Sequence, residues 1–390
     1  MDYFVSDIYK KIQPRLTSII DREIDEYSSF CNIFPVGSKI NEERLLSTEA
    51  SWLLGSTSGT TGNLKPVAIV LKYDKSKVSS CDRNFIYNLR RNQIFTPQEV
   101  VGNLFTINLF STLHYCACDI LKFCYANIVP VGDISLLRKS HFDFLFAIKL
   151  TSLFGVPATI VQFVETMVTL GVKLDIKKIV FTGEKMLTTY EKYLREILGK
   201  DLQIYGLYGM SECGFIGLSE MNNCSEYKLF SDDYFFEYDK KYGLLVTTLD
   251  ANASNILIRY PTGDKGVLFV KNDNIYFNSI KRSAIDFNFM GNIISHEKIL
   301  NLIHEKMPNA TVQIVLSIAD DRKEILDIRI CSEQLNDDSL RYLKDLILDL
   351  PDIYEAIAKN KGIVKLSAIF HEDLLLSKRG KFIPVYDMRK

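Results

Sequence analysis

A ten-residue segment from Ser56 to Lys65 has the composition of an anion-binding loop. It has the sequence STSGTTGNLK, which combines hydroxyl side chains, two glycines and a lysine. Glycines let backbone N–H groups approach an anion closely, hydroxyls donate hydrogen bonds to phosphate oxygens, and the lysine adds a positive charge. The glycines are too close together, and the lysine too far from the second one, for a Walker P-loop. We therefore predict a phosphate-binding loop whose contacts come from Ser58, Gly59, Thr60, Thr61, Gly62 and Lys65.

Three other side chains, at wide separation in the sequence, have chemistry that suits a nucleotide. The Glu212 carboxylate follows the segment YGLYGMS and can hold Mg²⁺, since this hard cation prefers oxygen ligands. In the same segment, Tyr208 offers an aromatic face for adenine. Asp264 ends the segment YPTGD and can accept hydrogen bonds from both ribose hydroxyls, although an aspartate taken alone is more often an ordinary surface acid.

A lysine close to the end of the sequence could stabilise negative charge. Lys381 follows Gly380, and an ammonium that reaches the α-phosphate and carboxylate oxygens would stabilise the charge that develops in a transition state. An ordinary solvated lysine in a basic tail is the alternative.

These segments, taken in order, resemble the adenylate-forming superfamily. This superfamily includes acyl- and aryl-CoA ligases, the adenylation domains of peptide synthetases, and luciferase. Its phosphate loop usually has the sequence S/T-S-G-T-T-G-x-P-K-G, and this chain has Leu64 in place of the proline and Pro66 in place of the last glycine. YGLYGMSE resembles the family's Y-G-x-T-E, with Ser211 in place of threonine. YPTGD resembles Y-x-T-G-D, and FTGEK at 181–185 lies where the family has its adenine-binding strand.

The resemblance implies a set of functional residues and a hinge. Arg282 and Gly291 keep the family's nine-residue separation, whereas Ala284 occupies the usual hinge position. The implied catalytic residues are Lys381, Glu212 and His114, with Glu212 also the metal ligand. Beyond the phosphate loop, the implied nucleotide-binding residues are Gly183, Glu184, Lys185, Tyr208, Gly209, Ser211, Asp264 and Arg282.

The substrate pocket is expected beside His114. Acid-activating members of the family have an aromatic residue or histidine at this position, although a histidine in an apolar segment is also often a hydrogen-bonded core residue. Amino-acid adenylation domains place an aspartate here, and the sequence offers only Asp119 nearby. The resemblance therefore favours a carboxylic acid without an α-ammonium, of aryl or apolar acyl type. Its pocket is expected near residues 114–118, 154–158 and 205–214.

The elements that must position these residues can be predicted from hydrophobic periodicity. Strand-like and helical segments alternate from 100 to 218, which indicates a largely parallel sheet covered by helices. Short strands separated by turns follow in 226–281 and indicate an antiparallel β-subdomain. Residues 1–50 have helical spacing that Pro14 is expected to interrupt.

We predict an α/β fold with two domains. The large N-terminal domain of helix-covered sheets plus the β-subdomain, residues 1–281, would bind ATP and the acid. Residues 282–390 would form a small mobile α+β lid. Because the phosphate loop begins near residue 56, the N-terminal subdomain is expected to be reduced relative to most members of the family.

Composition excludes several other classes of protein. The 390 residues are 47% hydrophobic and 24% charged, with a net charge of −1. This is the composition of a globular protein, and it provides no overall basic field for nucleic acid. No signal peptide or membrane span is expected, and the eight cysteines form neither a disulfide framework nor paired Cys-x-x-Cys zinc motifs. A cytoplasmic location is expected.

The resemblance implies an ATP- and Mg²⁺-dependent ligase. It would adenylate a carboxylic acid, release pyrophosphate, and transfer the acyl group to the phosphopantetheine thiol of a carrier protein. A separate carrier protein is expected because no G-x-D-S segment follows the lid. A ligase that uses CoA as the acceptor is one alternative, and a non-catalytic nucleotide-binding relative is another.

Overall fold

The computed structural model describes twelve segments of the chain, 2–37, 51–56, 66–71, 80–107, 111–250, 253, 255–282, 286–290, 292–319, 323–358, 362–377 and 380–389. The chain divides into two compact units. The first consists of Met1–Lys185 and Asp201–Ser283, and the second of Met186–Lys200 and Ala284–Lys390. That residues 1–281 bind the substrates and 282–390 act as a lid stays a prediction.

The helices described in the first unit lie mainly in its N-terminal half. They are α1 (Asp2–Ile20), α2 (Tyr27–Ile33), α3 (Ser80–Arg91), α4 (Leu113–Phe123), α5 (Lys139–Ala147) and α6 (Pro157–Thr169).

Helix α1 runs through Pro14, so the predicted interruption at this residue was wrong. Proline inside a helix costs about 3 kcal/mol, because it removes one hydrogen bond and its ring crowds the preceding turn. Tyr9, Ile12 and Leu16 are buried around this position in a cluster that includes Phe235. Burial of large apolar side chains contributes about 1.5–3 kcal/mol each and offsets that cost.

The first unit contains a nine-stranded sheet of order β13-β14-β9-β8-β7-β6-β5-β3-β4. Neighbouring strands from β4 to β7 are parallel, as the alternation of strands and helices predicted. The strands are β3 (Val100–Asn103), β4 (Asn127–Pro130), β5 (Ser152–Gly155), β6 (Lys178–Thr182), β7 (Gln203–Met210), β8 (Gly214–Ser219), β9 (Glu226–Leu229), β13 (Asp264–Lys271) and β14 (Asn274–Arg282).

The strands predicted for 226–281 are antiparallel, but they do not form one separate subdomain. Strand β8 turns back on β7, and this antiparallel edge lets β9, β14 and β13 extend the parallel sheet. The others, β10 (Tyr234–Asp239), β11 (Gly243–Thr248) and β12 (Tyr260–Pro261), make a three-stranded antiparallel sheet. Strands β1 (Ser51–Ser56) and β2 (Pro66–Leu71) form an antiparallel pair in which Ser56 faces Pro66.

The second unit is an α+β structure around one sheet of order β19-β18-β17-β20. Its helices are α7 (Thr188–Leu198), α8 (His296–Lys306), α9 (Asp337–Leu348) and α10 (Pro351–Ala358). Its strands are β15 (Asp286–Phe289), β16 (Asn292–Ser295), β17 (Thr311–Ile318), β18 (Glu324–Cys331), β19 (Ile363–Ala368) and β20 (Val385–Asp387). Buried aliphatic side chains from β17 and β18, among them Ile314, Leu316 and Ile328, form its core. The predicted α/β class, with a large sheet-and-helix part and a smaller α+β part, is confirmed.

None of the described helices is long and apolar enough to cross a membrane.

Candidate active site

Several of the described candidate residues of the first unit lie in segments that follow the parallel strands. Strands β4, β3, β5, β6 and β7 all run in the same direction, so their carboxyl ends lie along one edge of the sheet. The segments that follow β3, β5, β6 and β7 include His114, the Val156–Pro157 turn, Gly183–Lys185 and Ser211–Glu212. Open α/β sheets bind their ligands at this edge, outside the carboxyl ends of the strands.

Tyr208 and Asp264 form a buried hydrogen bond that joins two of the sequence motifs. The Tyr208 hydroxyl donates to Asp264 Oδ2 at 2.7 Å, and each residue is only 7% exposed. Burial and the adjacent carboxylate raise the pKa of Tyr208 well above its usual value of 10.0, so the hydroxyl keeps its proton. Its ring lies 6.1 Å from that of Phe277, nearly parallel, and 5.4 Å from that of Tyr227. Tyr208 is therefore enclosed by aromatic side chains, and its adenine-stacking role stays a prediction.

Glu212 and Tyr260 join the same two motifs a second time. The Tyr260 hydroxyl donates to Glu212 Oε1 at 3.1 Å. Burial and the adjacent Glu212 carboxylate raise the pKa of Tyr260, which keeps this hydroxyl a donor. Glu212 lies half-buried in the turn between β7 and β8. Sequence reasoning did not predict this contact, since Tyr260 was part of the YPTGD motif but had no assigned role.

A buried ion pair fixes the backbone immediately before Tyr260. Arg259 Nε donates to both carboxylate oxygens of Glu237, at 3.1 and 3.3 Å, and Glu237 is 2% exposed. Arg259 has φ +46°, in the left-handed region that non-glycine residues rarely adopt. Its guanidinium also donates to the Phe34 carbonyl at 3.2 Å, which anchors the segment after α2. The pair therefore helps to hold Tyr260 where it reaches Glu212.

The motif at 181–185 lies beside the first two. Thr182 Oγ1 donates to the Leu207 carbonyl at 2.8 Å, which ties the end of β6 to β7. Gly183 has φ +89°, a conformation that glycine adopts without strain. Glu184 Oε1 accepts a hydrogen bond at 3.1 Å from the Ala158 amide in the first turn of α6, while Lys185 is exposed. Carboxylates are favourable at a helix N-terminus because its free N–H groups carry partial positive charge.

Gly209 is required by the close approach of two strands. A Cβ atom at this position would lie 2.4 Å from the Gly214 carbonyl oxygen, because the register of β7 and β8 shifts between Tyr208 and Gly209. This irregularity directs the chain into the turn that carries Ser211 and Glu212.

The remaining predicted nucleotide contacts are described only in part. The backbone of Arg282, at the end of β14, pairs directly with Asp264 at the start of β13. The segment that contains Ser58, Gly59, Thr60, Thr61, Gly62 and Lys65 lies outside the described residues, between the paired strands β1 and β2.

His114 is a buried residue with a defined ring orientation. Its Nδ1–H donates to the Phe105 carbonyl at 2.7 Å, and the residue is 7% exposed. A carbonyl oxygen only accepts hydrogen bonds, so Nδ1 carries the hydrogen and Nε2 carries the lone pair when the ring is neutral. Asn103, fully buried at the end of β3, donates to the His114 carbonyl at 3.2 Å and accepts from the Phe105 amide at 3.1 Å.

His114 borders a cavity of about 430 Å³ at the carboxyl ends of β3 and β4. Of the segments predicted to form the substrate pocket, only His114 is among the described residues that line it. The others include Ile107 and a run from Pro130 to Asp133. Among the described residues that line the cavity the acid is Asp133, and Asp119 is not one of them. No sequence signal indicated Asp133, because it follows β4 and comes near His114 only through the pairing of β4 with β3.

Lys381 lies in the second unit, in a turn closed by Leu376 and Phe382. The Ser377 amide donates to the Lys381 carbonyl at 2.7 Å, and the Lys381 amide donates to Ser377 Oγ at 3.0 Å. Gly380 adopts φ +71°, which lets the turn present the following lysine. Its predicted catalytic role stays a prediction.

Comparison with known proteins gives matches over most of the chain. The AMP-binding enzyme family profile matches residues 32–276. The indoleacetate–lysine synthetase of Pseudomonas savastanoi is 36% identical over 369 residues, which cover 93% of this chain and 92% of that protein.

Two solved structures share the fold. A 2-hydroxyisobutyryl-CoA ligase in the postadenylation state, in complex with 2-HIB-AMP, has a TM-score of 0.60 at 13% identity, covering 99% of this chain and 86% of its own. An ATP-bound RpMatB–BxBclM chimera has a TM-score of 0.51 at 16% identity, covering 84% of this chain and 66% of its own.

The fold and the matched motifs define an adenylate-forming ligase, a class of enzyme that activates acids with ATP. The chain belongs to the AMP-binding enzyme family. The predicted resemblance, the fold class and the activity as a ligase are thereby confirmed.

Proposed function

We propose that this enzyme adenylates an aryl or apolar acyl carboxylic acid with ATP and transfers the acyl group to a primary amine. The adenylation step is supported by two hydrogen bonds between the YGLYGMSE and YPTGD motifs, from Tyr208 to Asp264 and from Tyr260 to Glu212. They bring a carboxylate suited to ribose and a carboxylate suited to Mg²⁺ to one edge of the sheet. The relative that joins indoleacetate and lysine supports the amine acceptor.

In the first half-reaction a carboxylate oxygen of the acid attacks the α-phosphorus of ATP, and the bond to pyrophosphate breaks. The phosphate loop would contact the departing phosphates, and Asp264 the ribose. The full set of proposed nucleotide contacts is Ser58, Gly59, Thr60, Thr61, Gly62, Lys65, Gly183, Glu184, Lys185, Tyr208, Gly209, Ser211, Asp264 and Arg282.

Glu212 is the residue proposed to hold Mg²⁺. Its carboxylate is a hard oxygen donor, and Tyr260 occupies one of its oxygens from the protein side. Mg²⁺ is commonly bound through one or two carboxylates together with substrate phosphates, so this donor set fits the ion. When bound, Mg²⁺ neutralises part of the triphosphate charge.

In the second half-reaction the amine nitrogen attacks the carbonyl carbon of the acyl-adenylate. The bond to AMP breaks, an amide forms, and the amine loses a proton. The thiol of CoA or of a separate carrier protein, predicted from the sequence, is the alternative acceptor, and it would give a thioester by the same displacement of AMP.

Lys381 is proposed to stabilise negative charge on the α-phosphate and carboxylate oxygens during adenylation. Lys381→Ala should reduce pyrophosphate release by about 10²–10³-fold, the scale of losing one such donor. The same variant should consume a chemically prepared acyl-adenylate at close to the wild-type rate. Equal losses in both half-reactions would contradict this role, and Lys365→Ala, an exposed lysine of the same unit, is the matched control.

The proposed function is tested first by acid-dependent ATP–pyrophosphate exchange with Mg²⁺. The panel contains indoleacetic, phenylacetic, benzoic, hydroxybenzoic, fatty and amino acids. Strong exchange with an aryl or apolar acid is expected. ATP binding without exchange for any acid would instead support the non-catalytic alternative.

The acceptor is then identified from the product. With the best acid, the enzyme receives lysine, other primary amines, CoA or a phosphopantetheinylated carrier protein, and products are identified by mass spectrometry. An amide from an amine at saturable concentration is expected. If a thioester is the sole product, the acceptor is a thiol and the proposal of an amine acceptor is wrong.

A further inference from the structure

We propose that the cavity beside His114 binds the acceptor amine, and that Asp133 selects an acceptor with a second positive charge, such as a basic amino acid. This inference rests on the proposed function and assigns the acceptor site within it. Three observations support this inference: the position of the cavity along the sheet edge, the charge of the residues that line it, and the orientation of the His114 ring.

The cavity lies on the same sheet edge as the nucleotide motifs but at a different place along it. The strand order β7-β6-β5-β3-β4 puts it at the far end of the parallel part. Neighbouring strands are about 4.8 Å apart, so the ends of β3 and β4 lie about 10–14 Å from the end of β6. A ligand in the cavity therefore lies to one side of the nucleotide motifs, and a second substrate there can approach an adenylate from the side.

The charge of the cavity favours a cation. Among the described residues that line it, Asp133 is the acid and none is a lysine or arginine. A carboxylic acid would meet the like charge of Asp133, whereas an ammonium group would be attracted to it. Ile107, Pro130 and Val131 supply apolar surface for the methylene chain that separates the two amines of a basic amino acid or diamine.

His114 is placed to receive the proton that the attacking amine loses. Its Nδ1–H is committed to the Phe105 carbonyl, so Nε2 of the neutral ring is an acceptor. In the reaction the C–N bond forms, the C–O bond to AMP breaks, and the amine proton passes to Nε2 and then to water. Asn103 positions this histidine by its hydrogen bonds to the His114 carbonyl and the Phe105 amide.

Asp133 can be neutralised without losing its structural contacts. Asp133 Oδ1 accepts hydrogen bonds from the Ser135 amide at 3.0 Å and the Ser135 hydroxyl at 2.7 Å. The amide oxygen of asparagine can accept the same two hydrogen bonds from Ser135, so Asp133→Asn removes the charge and keeps these contacts. Asp175→Asn, which neutralises an exposed acid just before β6 at the opposite edge of the sheet, is the matched control.

The test compares amines that differ in the second charge. For Asp133→Asn, the KM of lysine and of cadaverine should rise about three- to fivefold, the upper range for a charge pair formed at an exposed carboxylate. Pentylamine has the reactive amine and the methylene chain of cadaverine but no second ammonium, so its KM should stay within about twofold. The KM of the acid in the exchange reaction, which needs no amine, should not change, and Asp175→Asn should leave all these values unchanged.

Different results identify different failures. A raised KM for the acid in Asp133→Asn would mean that the cavity holds the acid, and an unchanged KM for lysine would refute selection by Asp133. Absence of exchange in the wild-type enzyme would instead refute the proposed function, and this inference with it.

His114→Asn provides an independent readout. Its side-chain amide can still donate to the Phe105 carbonyl, but Nε2 is lost. The kcat for lysine should fall, while the kcat for hydroxylamine should change little, because its much less basic nitrogen passes the same proton directly to water after the C–N bond forms. Equal losses with both amines would refute proton transfer to His114.

Discussion

The hydrogen bond between Tyr208 and Asp264 should contribute measurably to the stability of the first unit. The donor and acceptor atoms are 2.7 Å apart, and both residues are 7% exposed. A hydrogen bond to a charged group is worth about 1.5–3 kcal/mol, and the cost is largest when the remaining partner stays buried. Tyr208→Phe removes only the hydroxyl, so the free energy of unfolding should fall by about this amount.

A double-mutant cycle isolates this contact from other effects of the substitutions. Unfolding in urea is followed by circular dichroism without nucleotide for Tyr208→Phe, Asp264→Ala and the double variant. The coupling energy should be about 1.5–3 kcal/mol, and with Asp264→Asn, which keeps a neutral acceptor, about 0.5–1.5 kcal/mol.

Tyr227→Phe is the control for the cycle. Its ring lies in the same aromatic group, and no hydrogen bond of its hydroxyl to the described part of the chain is seen. It should lower stability by less than Tyr208→Phe. A coupling energy below about 0.5 kcal/mol between Tyr208 and Asp264 would refute the inference that this hydrogen bond holds the two motifs together.

Two further substitutions test contacts that hold the candidate site in place, the Arg259–Glu237 ion pair and the close strand approach at Gly209. Arg259→Met leaves the Glu237 carboxylate buried without its cationic partner, although the Tyr27 hydroxyl still donates to it, and should cost about 3–5 kcal/mol at neutral pH. Burial already raises the pKa of Glu237 above its usual 4.5, and loss of Arg259 raises it further. Protonation then relieves the unpaired charge, so the stability difference from wild type should shrink as the pH falls from about 8 to about 5; a constant difference would contradict this account. Gly209→Ala, whose Cβ would lie 2.4 Å from the Gly214 carbonyl oxygen, should lower stability by about 1–3 kcal/mol and weaken stabilisation by ATP in thermal unfolding. Gly102→Ala, whose nearest contact is a leucine methyl at 3.3 Å, should be milder, and equal effects of the two substitutions would contradict the close-approach argument.

Much of the fold could be predicted because its signals are local. Alternating strand and helix periodicity between 100 and 218 is a property of neighbouring residues, and the parallel strands β3 to β7 follow from it. The strands of 226–281 were equally visible. Their division between two sheets was not, because it depends on β8 pairing back onto β7 rather than on any residue within those strands.

The path of α1 through Pro14 shows the same limit. Local propensity predicts a break at this proline, yet Tyr9 and Leu16 pack against residues more than two hundred positions away, including Phe235. Tertiary burial outweighed local preference there.

For the candidate site, the order of the residues along the chain already contains the available chemistry. The phosphate loop could be selected from residue type and spacing, because anion binding requires particular donor atoms. Glu212, Asp264 and Lys381 could be selected only with the resemblance of their motifs to the adenylate-forming superfamily. Which of these groups are in contact depends on how the chain folds in three dimensions. The fold joins Tyr208 to Asp264, Tyr260 to Glu212, and puts Asp133 in one cavity with His114. These pairings depend on which strands are neighbours in the sheets, a property that hydrogen bonding between distant segments sets and that no local sequence pattern contains.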